Sequence, residues 1–116
     1  MRDRFERSIE LPAPVEQVWA ALTDAGLLSE WFGGTVEELD AKAGGRLAIR
    51  TIDGRLRRAL VETAEPPTHL IFRWLPIEQL PGGGVEPIPH TAVEIRLDAF
   101  EGGTRLSVTE DILVRA

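Results

Sequence analysis

Two histidines, His69 and His90, are the only side chains in this sequence whose ordinary titration lies near neutral pH. Either could move a proton if a carboxylate faced it. Each, however, follows a proline or turn segment (Pro66-Pro67-Thr68 and Pro89), where a side chain is expected to face solvent. No HExxH, phosphate-cradling glycine loop, Ser-His-Asp spacing or cysteine–histidine cluster occurs, so no catalytic residue, metal site or cofactor is proposed. An acid–base pair gathered from separate strands is the one catalytic arrangement left open, and Glu110 is the only titratable group that can be named for it. What remains is binding chemistry. Trp19, Trp31, Phe32, Phe72 and Trp74 offer large apolar surfaces that fill a core or line a pocket for a small apolar molecule. Trp31 and Phe32, just before Gly33-Gly34, are best placed for a pocket mouth. Arg46, Arg50, Arg55, Arg57 and Arg58 crowd one central stretch of a chain with net charge −6. They read as a solvated sheet surface that resists aggregation, or, through Arg55, Arg57 and Arg58, as a dock for an acidic partner.

The elements that must position these residues follow from periodicity. Val15, Val18, Trp19 and Leu22 recur at helical spacing, with Pro14 suited to the first helical position. Asp24 caps a second short helix carrying Leu27, Leu28 and Trp31, which Gly33-Gly34 ends. Before this pair, Phe5–Leu11 alternates as a half-buried strand. After it come strand-like segments: Val36–Ala41, Arg46–Ile52, Arg55–Thr63, His69–Leu75, Thr91–Leu97 and Thr104–Leu113. Lys42–Gly45, Asp53-Gly54 and Gly102-Gly103 mark hairpin turns, while Glu65–Thr68 is a proline break. Pro76–His90 reads as a long proline- and glycine-rich loop, of the kind that forms lids. If the first and last strands are neighbours, alternation sets Phe5 opposite Ile112, Arg7 opposite Glu110, Ile9 opposite Val108 and Leu11 opposite Leu106. Arg7 and Glu110 then form a charged pair on an apolar surface, either structural or an anchor for a ligand carboxylate or hydroxyl.

A chain of 116 residues is one domain, spanning 1–116. Its acidic balance argues against nucleic-acid binding. Its longest apolar runs are too short for a bilayer, so no membrane insertion is expected. With no cysteine there is no disulfide framework, which is compatible with a reducing cytosol; a cytoplasmic location is the expectation.

The segments PAPVEQVWAALTD, WF, DAKAGGR, EPPTHLIFRW, TAVEIRL and GGTRLSV, in this order along almost the whole chain, resemble the helix-grip superfamily of START-like (SRPBCC) proteins. The nearest branch is that named for the activator of the ninety-kilodalton heat-shock protein ATPase. The resemblance implies an α+β fold of one strand, two helices and six strands. Its curved antiparallel sheet would run in the order 1-7-6-5-4-3-2. It also implies a long C-terminal helix gripped by the sheet, for which the residues after Ile112 leave no room; the concave surface would then stand open, to be covered by a second copy in a homodimer, by the Pro76–His90 loop, or by further residues of a longer native chain. Members bind lipids, hormones and polyketides, and some catalyse cyclisation or dehydration. The expectation is a non-catalytic binder of a small hydrophobic ligand held by Trp19, Trp31, Phe32, Phe72 and Trp74, with Arg7 and Glu110 as polar anchors. A co-chaperone-like interaction module is the alternative, and a cyclase or hydrolase the third.

Overall fold

The structure, a computed structural model, describes residues 4–32 and 34–112; the side chains of Trp31 and Phe32 lie outside the described set. Strand β1 (Arg4–Leu11) leads into helices α1 (Val15–Leu22) and α2 (Ala25–Phe32). Strands β2 (Thr35–Leu39), β3 (Arg46–Arg50), β4 (Leu56–Glu65), β5 (His69–Gln79), β6 (Val85–Pro87), β7 (Thr91–Phe100) and β8 (Gly103–Ile112) follow. They form one antiparallel sheet in the order β1-β8-β7-β5-β4-β3-β2, with β6 paired to β5. This is the expected helix-grip order with one short strand added. Among the described residues no helix is long and apolar enough to cross a membrane.

The helices start within one residue of where the sequence places them. Pro14 stands one position earlier than expected, outside the helix, its carbonyl accepting from Val18 N at 3.1 Å. Asp24 Oδ1 accepts from Leu27 N at 2.9 Å, satisfying one amide that the first turn of α2 would otherwise leave unpaired. Val18, Leu22 and Leu28 turn inward against Val36, Leu47, Phe72, Leu97 and Leu106 of the sheet. That buried apolar layer holds the molecule together. β1 meets it only at its end, through Leu11; every residue from Arg4 to Glu10 is exposed.

Two expectations are corrected. Pro76–His90 is not a loop or lid. β5 runs on to Gln79, turns through Gly82, Gly83 and Gly84, and returns as β6, with Ile77 opposite Pro87 and Gln79 opposite Val85. The three glycines have φ of 86°, 108° and 89°, values that a side chain resists, so the run makes a tight turn rather than slack. The β1–β8 register is also displaced by two residues. Phe5 faces Glu110, Arg7 faces Val108, Ile9 faces Leu106 and Leu11 faces Thr104. The cause is a close approach at the start of β8. The fully buried Thr104 donates from Oγ1 to Ala13 O at 2.7 Å. A Cβ on Gly103 would sit 1.9 Å from Leu11 O. Only glycine fits at 103, and with the Thr104 hydrogen bond it fixes Leu11 against Thr104. An even displacement leaves each side chain on its original face, so alternation alone could not have distinguished the two registers.

Candidate binding cleft

The concave side of the sheet and the two helices enclose an apolar cleft of about 340 Å3. Leu22 and Leu28 come from the helices. Leu39 and Leu47 come from β2 and β3, and Leu70, Phe72 and Trp74 from β5. Val93, Ile95, Leu106 and Val108 from β7 and β8 continue the wall, and β1 contributes Ile9 and Arg7 at the rim. Residues two apart on one strand share a face, which is why each strand gives the cleft alternate side chains. Phe72 and Trp74 meet edge to face, their centroids 5.4 Å apart at 90°. That geometry suits the ring quadrupoles and holds both side chains in place.

Among the described residues, Arg7 and Glu110 are the only charged ones lining the cleft. They are not cross-strand partners, since Glu110 stands opposite Phe5, but both reach the same space as diagonal neighbours. Glu110 accepts from Thr91 Oγ1 at 2.8 Å. The ion pairs of β1 use Arg4, Glu6 and Glu10; Arg7 makes none among the described residues. The cleft thus offers a greasy interior with a cation and an acceptor at one rim.

Of the aromatic residues, Phe72 and Trp74 line the cleft. Trp19 instead packs against the core from α1 and does not reach it. The side chains of Trp31 and Phe32 lie outside the described residues. Trp74 also borders a shallower hollow beside the β3–β4 turn, shared with Arg57, Ile49 and Ile52.

The three arginines do not form one patch. Arg55 and Arg57 converge on Glu78, which is 3% exposed. Arg55 Nη1 donates to its Oε1 at 2.9 Å and Arg57 Nε to its Oε2 at 3.0 Å. These bonds, Arg55's foremost, hold the Glu78 carboxyl below its ordinary range against the opposing effect of burial. Arg55 also reaches Glu86 at 3.2 Å, and Arg57 lies over the Trp74 ring at 5.5 Å. Arg58 is on the other side of the sheet, donating to Gln79 Oε1 at 3.1 Å. Glu78 and Glu86 were hidden from sequence reasoning because their segment reads as a loop.

His69 does not face solvent. Its side chain is 14% exposed and held between two carboxylates, Nδ1 at 2.8 Å from Glu65 Oε1 and Nε2 at 2.6 Å from Glu94 Oε2. With an acceptor on each nitrogen, the ring is satisfied fully only as the imidazolium. Its pKa is accordingly raised, first by Glu65, with Glu94 adding to the effect and burial and Arg96 opposing it. The i, i+4 spacing of Glu65 and His69 was visible in the sequence; the pairing with β7 was not. His69 does not line the cleft.

Residues 12–115 match the family model described as Activator of Hsp90 ATPase homolog 1-like protein. No curated protein matches the chain. Among solved structures, a protein from Rhodobacter sphaeroides is 30% identical, superimposes with a TM-score of 0.75, and is matched over 97% of this chain and 74% of its own. DynU16, a protein in the dynemicin biosynthetic locus, is 26% identical with a TM-score of 0.79, over 100% of this chain and 39% of its own. CalU16 from Micromonospora echinospora is 25% identical with a TM-score of 0.71, over 97% of this chain and 62% of its own. With the sheet order, the helical pair and nearly the whole length in agreement, the chain belongs to the family of Activator of Hsp90 ATPase homolog 1-like proteins.

Proposed function

We propose that this protein binds a small, mostly apolar molecule carrying one polar or anionic group, and that it does so without catalysis. The observation that carries the reading is the make-up of the cleft: apolar side chains from both helices and six strands, with Arg7 and Glu110 the only charged residues among those described. Its volume of about 340 Å3 lies at the lower end of the range for ligand pockets, about 300–1,000 Å3. The apolar walls supply affinity in proportion to the area they remove from water. Arg7 and Glu110 orient the ligand, Arg7 taking a carboxylate or sulfonate and Glu110 a hydroxyl. An acid–base role would need a second titratable group beside Glu110, and among the described residues the cleft presents no histidine and no other carboxylate. That DynU16 lies in a biosynthetic locus is in keeping with small-molecule binding.

The test uses 1-anilinonaphthalene-8-sulfonate, an apolar fluorophore with one anionic group. Saturable one-to-one binding is expected. Val108→Glu, a partly exposed rim position, should abolish it while far-ultraviolet circular dichroism stays unchanged. Arg7→Gln should weaken it only about two- to fivefold, as suits a solvent-screened charge. Non-saturable binding, or binding indifferent to Val108→Glu in a folded protein, would reject the cleft as the site.

A further inference from the structure

The sheet ends in two edges, and they are treated differently. β2 is guarded: its pairing with β3 is broken by an irregularity between Val36 and Glu38. The Val36 amide is taken up by Ser29 Oγ of α2 at 2.8 Å. β1 has neither device. Its eight residues run in unbroken register with β8, contain no proline or glycine, and have nothing paired to their outer side among the described residues. Phe5 is 67% exposed and Ile9 45%. A straight, uncovered edge with apolar side chains is a template for another strand.

We propose that β1 is a homodimer interface, two copies pairing antiparallel through their β1 edges about a two-fold axis at Arg7. The sequence of the strand selects both the partner and the register. For two sheets to join with their concave sides continuous, paired residues must share a face, so the axis must pass through a residue rather than between two. Near the strand centre the choices are Glu6, Arg7 and Ser8. An axis through Glu6 sets it against itself and puts Phe5 opposite Arg7. An axis through Ser8 puts Glu6 against Glu10 and Arg7 against Ile9. An axis through Arg7 puts Phe5 opposite Ile9, Glu6 opposite Ser8 and Arg4 opposite Glu10 of the second copy. Each exposed apolar residue then covers the other.

The flanking strand extends the match. Within one chain Arg4 pairs with Asp111 at 3.0 Å and Glu10 with Arg105 at 2.7 Å. Across the joined sheets, Asp111, Arg4, Glu10 and Arg105 would form a four-strand row of alternating charge, repeated twice by symmetry. Opposite charges directly across strands stabilise pairing and like charges oppose it. The one like-charged contact is Arg7 with itself. Each Arg7 has its own Glu110 as diagonal neighbour on β8, which tempers the repulsion.

Light scattering on the full chain should give twice the monomer mass. The chain has no cysteine, so single cysteines report the register directly. Arg7→Cys faces itself across the axis, where Cβ atoms lie about 4.5–5.5 Å apart, and mild oxidation should yield a covalent dimer. Ile9→Cys lies four residues out of register with its own copy, too far for a disulfide, and should stay monomeric on a denaturing gel. A monomeric mass across the accessible concentration range overturns the proposal. So does a dimer that cross-links through Ile9→Cys, or through Val108→Cys in the cleft, and not through Arg7→Cys.

Discussion

His69 is the residue whose environment departs most from what its neighbours in sequence suggest, and its effect on stability has a definite sign. Glu65 from β4 and Glu94 from β7 face its two nitrogens, while Arg96 lies alongside Glu94 at 3.0 Å. Its folded pKa is raised, so its contribution is fully present below the unfolded value of about 6.5. That contribution is lost as pH rises through the folded value. Glu94 is shifted the other way, lowered first by His69. Its contribution is present above its unfolded value and lost as pH falls through the folded one. The clamp is therefore strongest in mildly acidic solution, between the two unfolded values. His69→Gln should lower the melting temperature most near pH 6, and the deficit should shrink as pH is raised towards 9. Because Glu65 is largely exposed, the deficit should not exceed about 1 kcal/mol. A deficit that is constant across this range would mean that packing, not the ion pairs, is what His69 contributes.

Elements were legible where their signals were local. Asp24 announced the start of α2, Asp53-Gly54 the β3–β4 turn, and the alternation of Leu70, Phe72 and Trp74 the strand that lines the cleft. What stayed hidden depended on pairing rather than on any local pattern. β6 is three residues long, with too little pattern of its own, and exists because β5 continues past Pro76 to receive it. The β1–β8 register rests on Gly103 and Thr104 meeting Leu11 and Ala13, nearly the whole chain away. Alternation narrowed the pairing only to registers that differ by an even step. This gives a sharp expectation for one substitution. Gly103→Ala forces a Cβ into the Leu11 carbonyl, which backbone cannot yield without moving the end of β1. A loss of about 3 kcal/mol is expected, at the upper end of ordinary point mutants, with greater amide exchange along β1 and little change in β4. Gly102→Ala, whose Cβ would meet only a Phe100 ring atom at 3.6 Å, is the comparison for backbone conformation without the clash. Equal losses from the two would show that the close approach does not pin the register.

At the scale of the whole molecule, the open concave cleft and the uncovered β1 edge meet on the same strand, since Arg7 and Ile9 serve the rim of one and the centre of the other. A joined dimer would bring two clefts together across a continuous sheet and surround each rim with the other copy's Phe5. The sequence indicated the apolar cleft and set the first strand beside the last, as found; the uncovered outer edge of β1 was not legible there, because which side of a strand lacks a partner depends on the whole sheet. The two associations differ in thermodynamic signature, because each stabilises the folded state by mass action on a different species. Cleft occupancy raises the melting temperature with ligand concentration. Ligand at a hundred times its dissociation constant adds about 2.7 kcal/mol. Edge pairing raises it with protein concentration, in the absence of any ligand. Ile9→Glu should remove the protein-concentration dependence, setting a buried charge opposite Phe5, while its folded monomer retains a cooperative transition. Val108→Glu, one strand away from the joined edge, should remove the ligand dependence and leave the protein-concentration dependence in place. If both substitutions abolish both dependences together, the cleft and the edge are one binding surface, and the ligand is held between two copies rather than within one.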